Sequence, residues 1–342
     1  MKLHLSPRQR TLTRWAAGLV GVGIAVGGGG LLSAANSEAP SASSSFPNRP
    51  ITIIVTFPPG GGTDLLARKL GALMQQRLGH AVVVENRPGA SGNIGARAVA
   101  EAPADGHTLL MVNSSFAINP GVYGNLGFDP KRDFQAIINV AFVPSVLVVP
   151  PHSPYQTLND WVQEGTQPDV RMPVASCGNG TPQHLAGEML TMSTKAGFQH
   201  VPYRGCGPAL TDVLAGQVPM GIVTASSAAP FLQSGKLRAL GVTSPKRSTL
   251  MADVPTVAEQ GLPGYEMNQW HGLLAPASTP DEVVSKLNRT VAHIMKQPDV
   301  RRDLLQVGFS TTTSTPEEFQ ALISKDIDRF ADLTQKVGLR AD

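Results

Sequence analysis

From residue 50 onward, short apolar or β-branched runs alternate with stretches whose apolar positions recur at helical spacing. That is the pattern of βα units building mainly parallel sheets, so an α/β fold is predicted. Strands are predicted at 51–57, 81–85, 108–112, 145–149, 171–175, 218–224, 237–243 and 272–275. They are short and nearly all apolar. Strands covered by helices on both faces read this way, whereas a sheet with one wet face alternates polar with apolar residues. Helices are predicted at 64–78, 94–101, 182–194, 208–215, 281–296 and 317–335. Thr-Pro at 181/182, 279/280 and 315/316 sets a capping hydroxyl before a proline at the first helical position.

Four of the predicted strand-to-helix turns are rich in glycine: 58–64 (PPGGGTD), 86–93 (NRPGASGN), 176–181 (SCGNGT) and 204–208 (RGCGP). Glycine lets backbone approach a ligand, and free amides at a helix start favour an anion. Tight turns also use glycine for steric reasons alone, so one such turn means little. Four at the same end of parallel strands converge on one face, the carboxyl end where open α/β sheets bind ligands. None continues into the Gly-Lys-Ser/Thr of a phosphate loop or carries a dinucleotide fingerprint, so no nucleotide cofactor is expected. The anion these loops suit is small, such as a carboxylate.

The 342 residues, 42% hydrophobic and 15% charged, suffice for about two domains with real cores. The formal charge of +3 misleads. Lys2, Arg8, Arg10 and Arg14 fall in the first 35 residues, which hold no acid, and the remainder carries 24 basic against 25 acidic residues. The electrostatic footprint of a nucleic-acid binder is missing. Residues 1–35 read as a positive segment, an apolar run weakened by seven glycines, and Ser33-Ala34-Ala35. This is the layout of a secretory signal peptide cleaved near Ala35, which exports the mature chain with no stable membrane insertion. A polar linker follows at 36–45.

Export bears on the two cysteines. Cys177 and Cys206 lie on the third and fourth glycine-rich turns, at the same predicted sheet end, and in an oxidising compartment a disulfide is the preferred reading, with two free buried thiols as its alternative. A third reading makes Cys177 a thiol nucleophile paired with His184, in an exported enzyme. His184, in the first turn of a helix after such a loop, is also a candidate anion donor. Trp270 and His271, just before an apolar run, either reach a crevice or pack. No two of the eight histidines stand at i, i+4, so no metal site is implied, and no nucleophile-elbow or Ser-x-x-Lys motif is found.

The segments FPNRPI (46–51), FPPGGGTD (57–64), VENRPGASGNIG (84–95), DGHTLL (105–110), GNGTPQHLAGE (178–188), VPYRGCGPALTD (201–212) and KLRALGVTS (236–244) resemble, in order and spacing, the periplasmic solute receptors of tripartite tricarboxylate transporters, the Bug-type receptors. The resemblance covers most of the mature chain. It implies a two-lobed, Venus-flytrap fold of the type II periplasmic-binding kind, a receptor without enzymatic activity or cofactor, and a small carboxylate delivered to a membrane permease. A monomer is expected. The lobes would be 46–147 plus 269–342, and 148–268. On the first-lobe side the implied ligand set is Phe57, Pro58, Gly60, Gly61, Thr63, Asp64 and Ser114, with Trp270. On the other it is Ser176, Gly178, Asn179, Gly180, Thr181, His184, Tyr203 and Thr224. The family often has glycine at 206, Ser, Ala or Gly at 177, and Asp-Asn at 223/224. The cysteine pair therefore reads as a subfamily trait, and ligand identity does not transfer.

Overall fold

The computed structural model describes residues 46–340; the expected leader at 1–35 and linker at 36–45 lie outside the described residues. Among the described residues ten strands form. Those in the first half are β1 (Ile51–Val55), β2 (Val82–Asn86), β3 (Thr108–Asn113), β4 (Phe134–Val149) and β5 (Met172–Ser176). The rest are β6 (Phe198–Pro202), β7 (Met220–Thr224), β8 (Arg238–Val242), β9 (Asn268–Pro276) and β10 (Ser310–Thr311). The principal helices are α1 (Gly62–Leu78), α2 (Asn93–Ala100), α3 (Ser115–Ile118), α4 (Leu158–Gly165) and α5 (Pro182–Thr194). They continue with α6 (Cys206–Leu214), α7 (Ala225–Gln233), α8 (Asp281–Met295), α9 (Pro298–Gln306) and α10 (Pro316–Lys336).

The strands make two sheets that share β4. In the first the order is β2-β1-β3-β9-β4, and in the second β6-β5-β7-β4-β8, the same plan twice. The outer three strands of each are parallel, while β4 and β9 run antiparallel to their neighbours. Strand β4 pairs with β9 from Phe134 to Pro144, then with β7 and β8 from Ser145 onward. Its first half was not predicted. Gln135, Asn139 and Pro144 interrupt the apolar run, two register shifts against β9 absorb the irregularity, and Pro144 stands where the strand changes sheets. The edge strand β6 was missed for a similar reason, since Gln199, His200 and Pro202 leave little apolar pattern.

Side chains alternate between the two faces with period two. Ile51, Ile53 and Val55 face the layer of α1, α8 and α9, meeting Leu66, Leu70, Val283, Leu287 and Leu304. Ile54, Leu110 and Leu147 face the opposite layer, with Val99, Leu185, Phe319 and Phe330. Thr181 caps α5 and Thr315 caps α10, each before a proline, as the sequence predicts. At 279/280 the expectation fails: Pro280 is itself the cap position, and the Thr279 hydroxyl donates to the Pro276 carbonyl at 2.8 Å.

Candidate functional site

The carboxyl ends of β1, β3, β5, β6 and β7 bring their loops together. Between them lies an inner chamber with room for water centres of about 40 Å3, enough for about three waters. It opens beside an outer cleft of about 570 Å3, with Phe57, Pro58, Cys177 and Gly205 forming a common wall.

Two helix starts point into the chamber from different sheets. Helix α1 presents Gly61, Gly62 and Thr63, and α6 presents Gly205, Cys206, Gly207 and Pro208. Neither helix has a side-chain cap, whereas α4, α5, α7 and α10, which begin with threonine caps, satisfy part of their first turn internally. The first amides of α1 and α6 therefore lack an intrahelical acceptor, and each helix adds the positive end of its dipole.

The floor is a chain of neutral side chains. Asn113 donates to Thr63 Oγ1 at 3.1 Å, and Thr63 Oγ1 lies 3.2 Å from His271 Nε2, which also meets Gln269 Nε2 at 3.1 Å. Gln183 Nε2 donates to Gln269 Oε1 at 3.0 Å and to Ser145 Oγ at 2.8 Å. Burial pushes the His271 imidazole down to about 3, so it accepts here as a neutral ring. Among the described residues no charged side chain lines the chamber, and Arg204 alone brings charge to the outer cleft.

Of the expected ligand set, Phe57, Pro58, Gly61, Thr63 and Thr224 line the chamber, and Gly178, Asn179 and Tyr203 line the outer cleft with Phe57 and Pro58. The others hold these groups in place. Asp64 is buried, and its carboxylate accepts from Gly60 N–H at 2.9 Å, Arg68 at 3.0 Å and Asn86 at 2.8 Å, so Gly60 and Asp64 brace the loop from behind. Ser176 Oγ accepts the Gly178 amide at 3.1 Å and lies 2.6 Å from His200. Thr181 donates to the Gly178 carbonyl at 2.7 Å. His184 stacks on His200 at 3.5 Å while its Nδ1 accepts the Gly180 amide at 3.4 Å. Trp270 packs: it donates to Asp326 at 2.8 Å and stands edge-on to Phe319, and its own amide donates to Ser114 Oγ at 2.9 Å.

Cys177 and Cys206 are disulfide-bonded across 29 residues of sequence, with Cα atoms 4.3 Å apart. The described residues hold no free cysteine, so the thiol-nucleophile reading has no thiol to use. They also hold no group of acids, histidines or cysteines placed to bind a metal. Asn113, Gln183 and Gln269 were missed. Asn113 ends the apolar strand β3, a signal of a polar group at the strand's site end, whereas Gln269 lies among Asn268, Trp270 and His271 with no such pattern.

Two fused sheets of identical order, with ligand-sized space at the carboxyl ends of their parallel strands, define a solute-binding receptor of the periplasmic type. The chain belongs to the tripartite tricarboxylate transporter receptor family, whose profile it matches over residues 66–339. It is 33% identical to the protein BugT of Bordetella pertussis, over 90% of this chain and 95% of that one. The R. palustris protein Rpa4515, solved with adipate, superposes with a TM-score of 0.84 at 33% identity, covering 86% of this chain and 100% of that one. MatC from Rhodopseudomonas palustris, solved with bound malate, gives 0.76 at 32% identity, with 84% and 99% covered. The family is periplasmic, and no helix among the described residues is long and apolar enough to cross a membrane.

Proposed function

We propose that this receptor captures a small carboxylate and presents it to a membrane permease of the tripartite tricarboxylate type, the mature chain beginning after a leader cleaved near Ala35 and acting as a monomer. One observation carries the reading: the uncapped starts of α1 and α6 meet in a chamber that no acid lines among the described residues. A carboxylate there takes hydrogen bonds from both helix starts and from the neutral amides beneath, without the cost of desolvating a fixed cation. The chamber suits a carboxylate group, and the larger cleft its body. That two relatives were solved with adipate and malate supports the same class.

On this reading residues 46–147 with 269–342 form one lobe and 148–268 the other. An anion that binds α1 and α6 together favours the closed arrangement through its differential affinity for it. No covalent step is required. A thermal-shift screen over mono-, di- and tricarboxylates and aromatic acids tests the proposal. At a hundredfold excess over Kd a true ligand stabilises by roughly 2.7 kcal/mol. If no carboxylate raises the melting temperature while an uncharged or cationic solute does, the reading falls.

A further inference from the structure

The loop between β2 and α2 touches the loop between β5 and α5, so the two sheets meet at a point other than their shared strand. Ser91 Oγ donates to the main-chain carbonyl of Asn179. Tyr123 Oη donates to Ser91 Oγ at 3.2 Å and reaches the same carbonyl at 3.5 Å. Behind them the buried amide of Asn119 donates to the Ser91 carbonyl at 3.0 Å and to Asn93 Oδ1 at 2.6 Å. Both surfaces are shaped for close approach. Gly180 has φ of 70°, and a Cβ there would stand 2.8 Å from Asn119 Oδ1. Opposite it, Ala90 and Ser91 hold φ of 45° and 51°, a left-handed backbone that residues other than glycine seldom adopt.

The position of this contact matters. The sheets are joined by β4, but the Ser91 loop follows β2, four strands away from it, which at strand spacing is about 19 Å. Contacts beside the shared strand survive a small rotation of one sheet against the other, whereas those at such a distance separate. Ser91, Tyr123 and Asn179 all line the outer cleft. A bond among them therefore closes over whatever the cleft holds.

We propose that Ser91 and Tyr123 form a latch on the Asn179 carbonyl that holds the cleft shut, biasing the ligand-free chain toward closure and slowing escape of the bound molecule. The latch rests on the receptor reading for its purpose, though not for its geometry. A residue in left-handed backbone, held by a hydrogen bond to the other sheet's loop, is a bistable element, since release of the carbonyl frees the loop to relax. Because the contact has to open before a ligand enters as well as before one leaves, its loss speeds both steps.

The test uses the mature chain and the double variant Ser91→Ala, Tyr123→Phe, with adipate and malate as probes and small-angle X-ray scattering and stopped-flow dissociation as readouts. Loss of two hydrogen bonds to one carbonyl should speed dissociation about tenfold and speed association as well. Ligand-free variant should show a larger radius of gyration than ligand-free wild type. Circular dichroism and melting of both free proteins verify folding, and the single variant Tyr123→Phe, which leaves the backbone of the strained loop untouched, should give a smaller effect in the same direction. Equal radii of the free proteins together with equal dissociation rates overturn the latch. If wild type binds neither probe, nor any other carboxylate, the carboxylate reading fails, and the scattering comparison still decides the latch.

Discussion

The carboxylate of Asp64 accepts the main-chain amide of Gly60 at 2.9 Å, so an acid inside the first turn of α1 closes the glycine loop that precedes it. Its remaining capacity is taken by Arg68 and Asn86. A negative charge beside an anion site would oppose the ligand if it faced it. Here it faces away, and its loop-bracing role dominates. Asp64→Ala is therefore expected to weaken carboxylate binding, by roughly tenfold, and to destabilise the fold by about 1–3 kcal/mol, since buried donors lose their acceptor. Calorimetric titration and denaturant melts measure the two effects. Stronger binding in the variant would mean that charge repulsion outweighs loop order.

Gly61 and Gly62 should differ sharply. Gly61 has φ of −78°, and an added Cβ would meet only the Pro58 carbonyl, at 3.6 Å, so the protein itself leaves room for a small side chain there. At Gly62 a Cβ would fall 2.3 Å from Ser226 Oγ, which itself donates to Thr224 at 3.2 Å. Gly61→Ala should leave affinity within about threefold, while Gly62→Ala should lower it further by displacing Ser226, roughly tenfold. Adding Ser226→Ala to Gly62→Ala should restore much of the loss. An additive double mutant would show that the clash is not the cause.

The Cys177–Cys206 bond ties the start of the 177–181 loop to the first residue of α6. By chain entropy a loop of this length contributes roughly 3.5 kcal/mol. Replacing both cysteines by serine should lower the unfolding free energy by about that amount and weaken ligand binding as α6 loses its anchor. Urea denaturation of the variant beside oxidised wild type measures the first effect. A variant as stable as wild type would place the bond's role in binding alone.

Acid should destabilise the protein in two steps. Burial holds the His271 imidazole neutral down to about 3, below its unfolded value of 6.5, so the unfolded chain binds the extra proton and stability falls as pH drops below 6.5. The slope is up to about 1.4 kcal/mol per pH unit for such a group. Asp64 acts lower. Burial alone would raise its pKa, but hydrogen bonds from Arg68, Gly60 and Asn86 outweigh that and lower it, so its contribution is present above 3.8 and disappears as pH falls through the folded value. His271→Gln should flatten the limb between pH 6.5 and 4 in chemical melts. An unchanged slope would assign that limb to other histidines, of which His200, also pushed down to about 3 by burial and by His184, is the first to test.

Much of the fold was legible because β1, β3, β5 and β7 are apolar runs, and β1, β5 and β7 end in glycine-rich or threonine-capped turns that reach the site. The roles of single residues were less so. On β9, Trp270 and His271 are neighbours of opposite face, and one register step decides which of them meets the chamber. Only pairing with β3 and β4 sets that step, sending His271 toward Thr63 and Trp270 toward Asp326. Asp64 is a similar case. The sequence shows an acid beside an anion loop, but that its oxygens are occupied depends on Asn86, 22 positions away on β2. Asn113, Gln183 and Gln269 come from β3, α5 and β9, and no local pattern links them.

Because β4 stands inside both sheets, neither can be lifted out of the chain intact. A fragment of residues 150–268 keeps β5, β6, β7 and β8 but loses the strand that lies between β7 and β8, and so exposes two unpaired edges in what had been its interior. Portability is lost with it. A chimera that grafts one half of this receptor onto a relative has to carry residues 134–149 as a shared seam and match the register on both sides. New specificities are therefore more readily reached by exchanging loops at the strand ends than by trading halves.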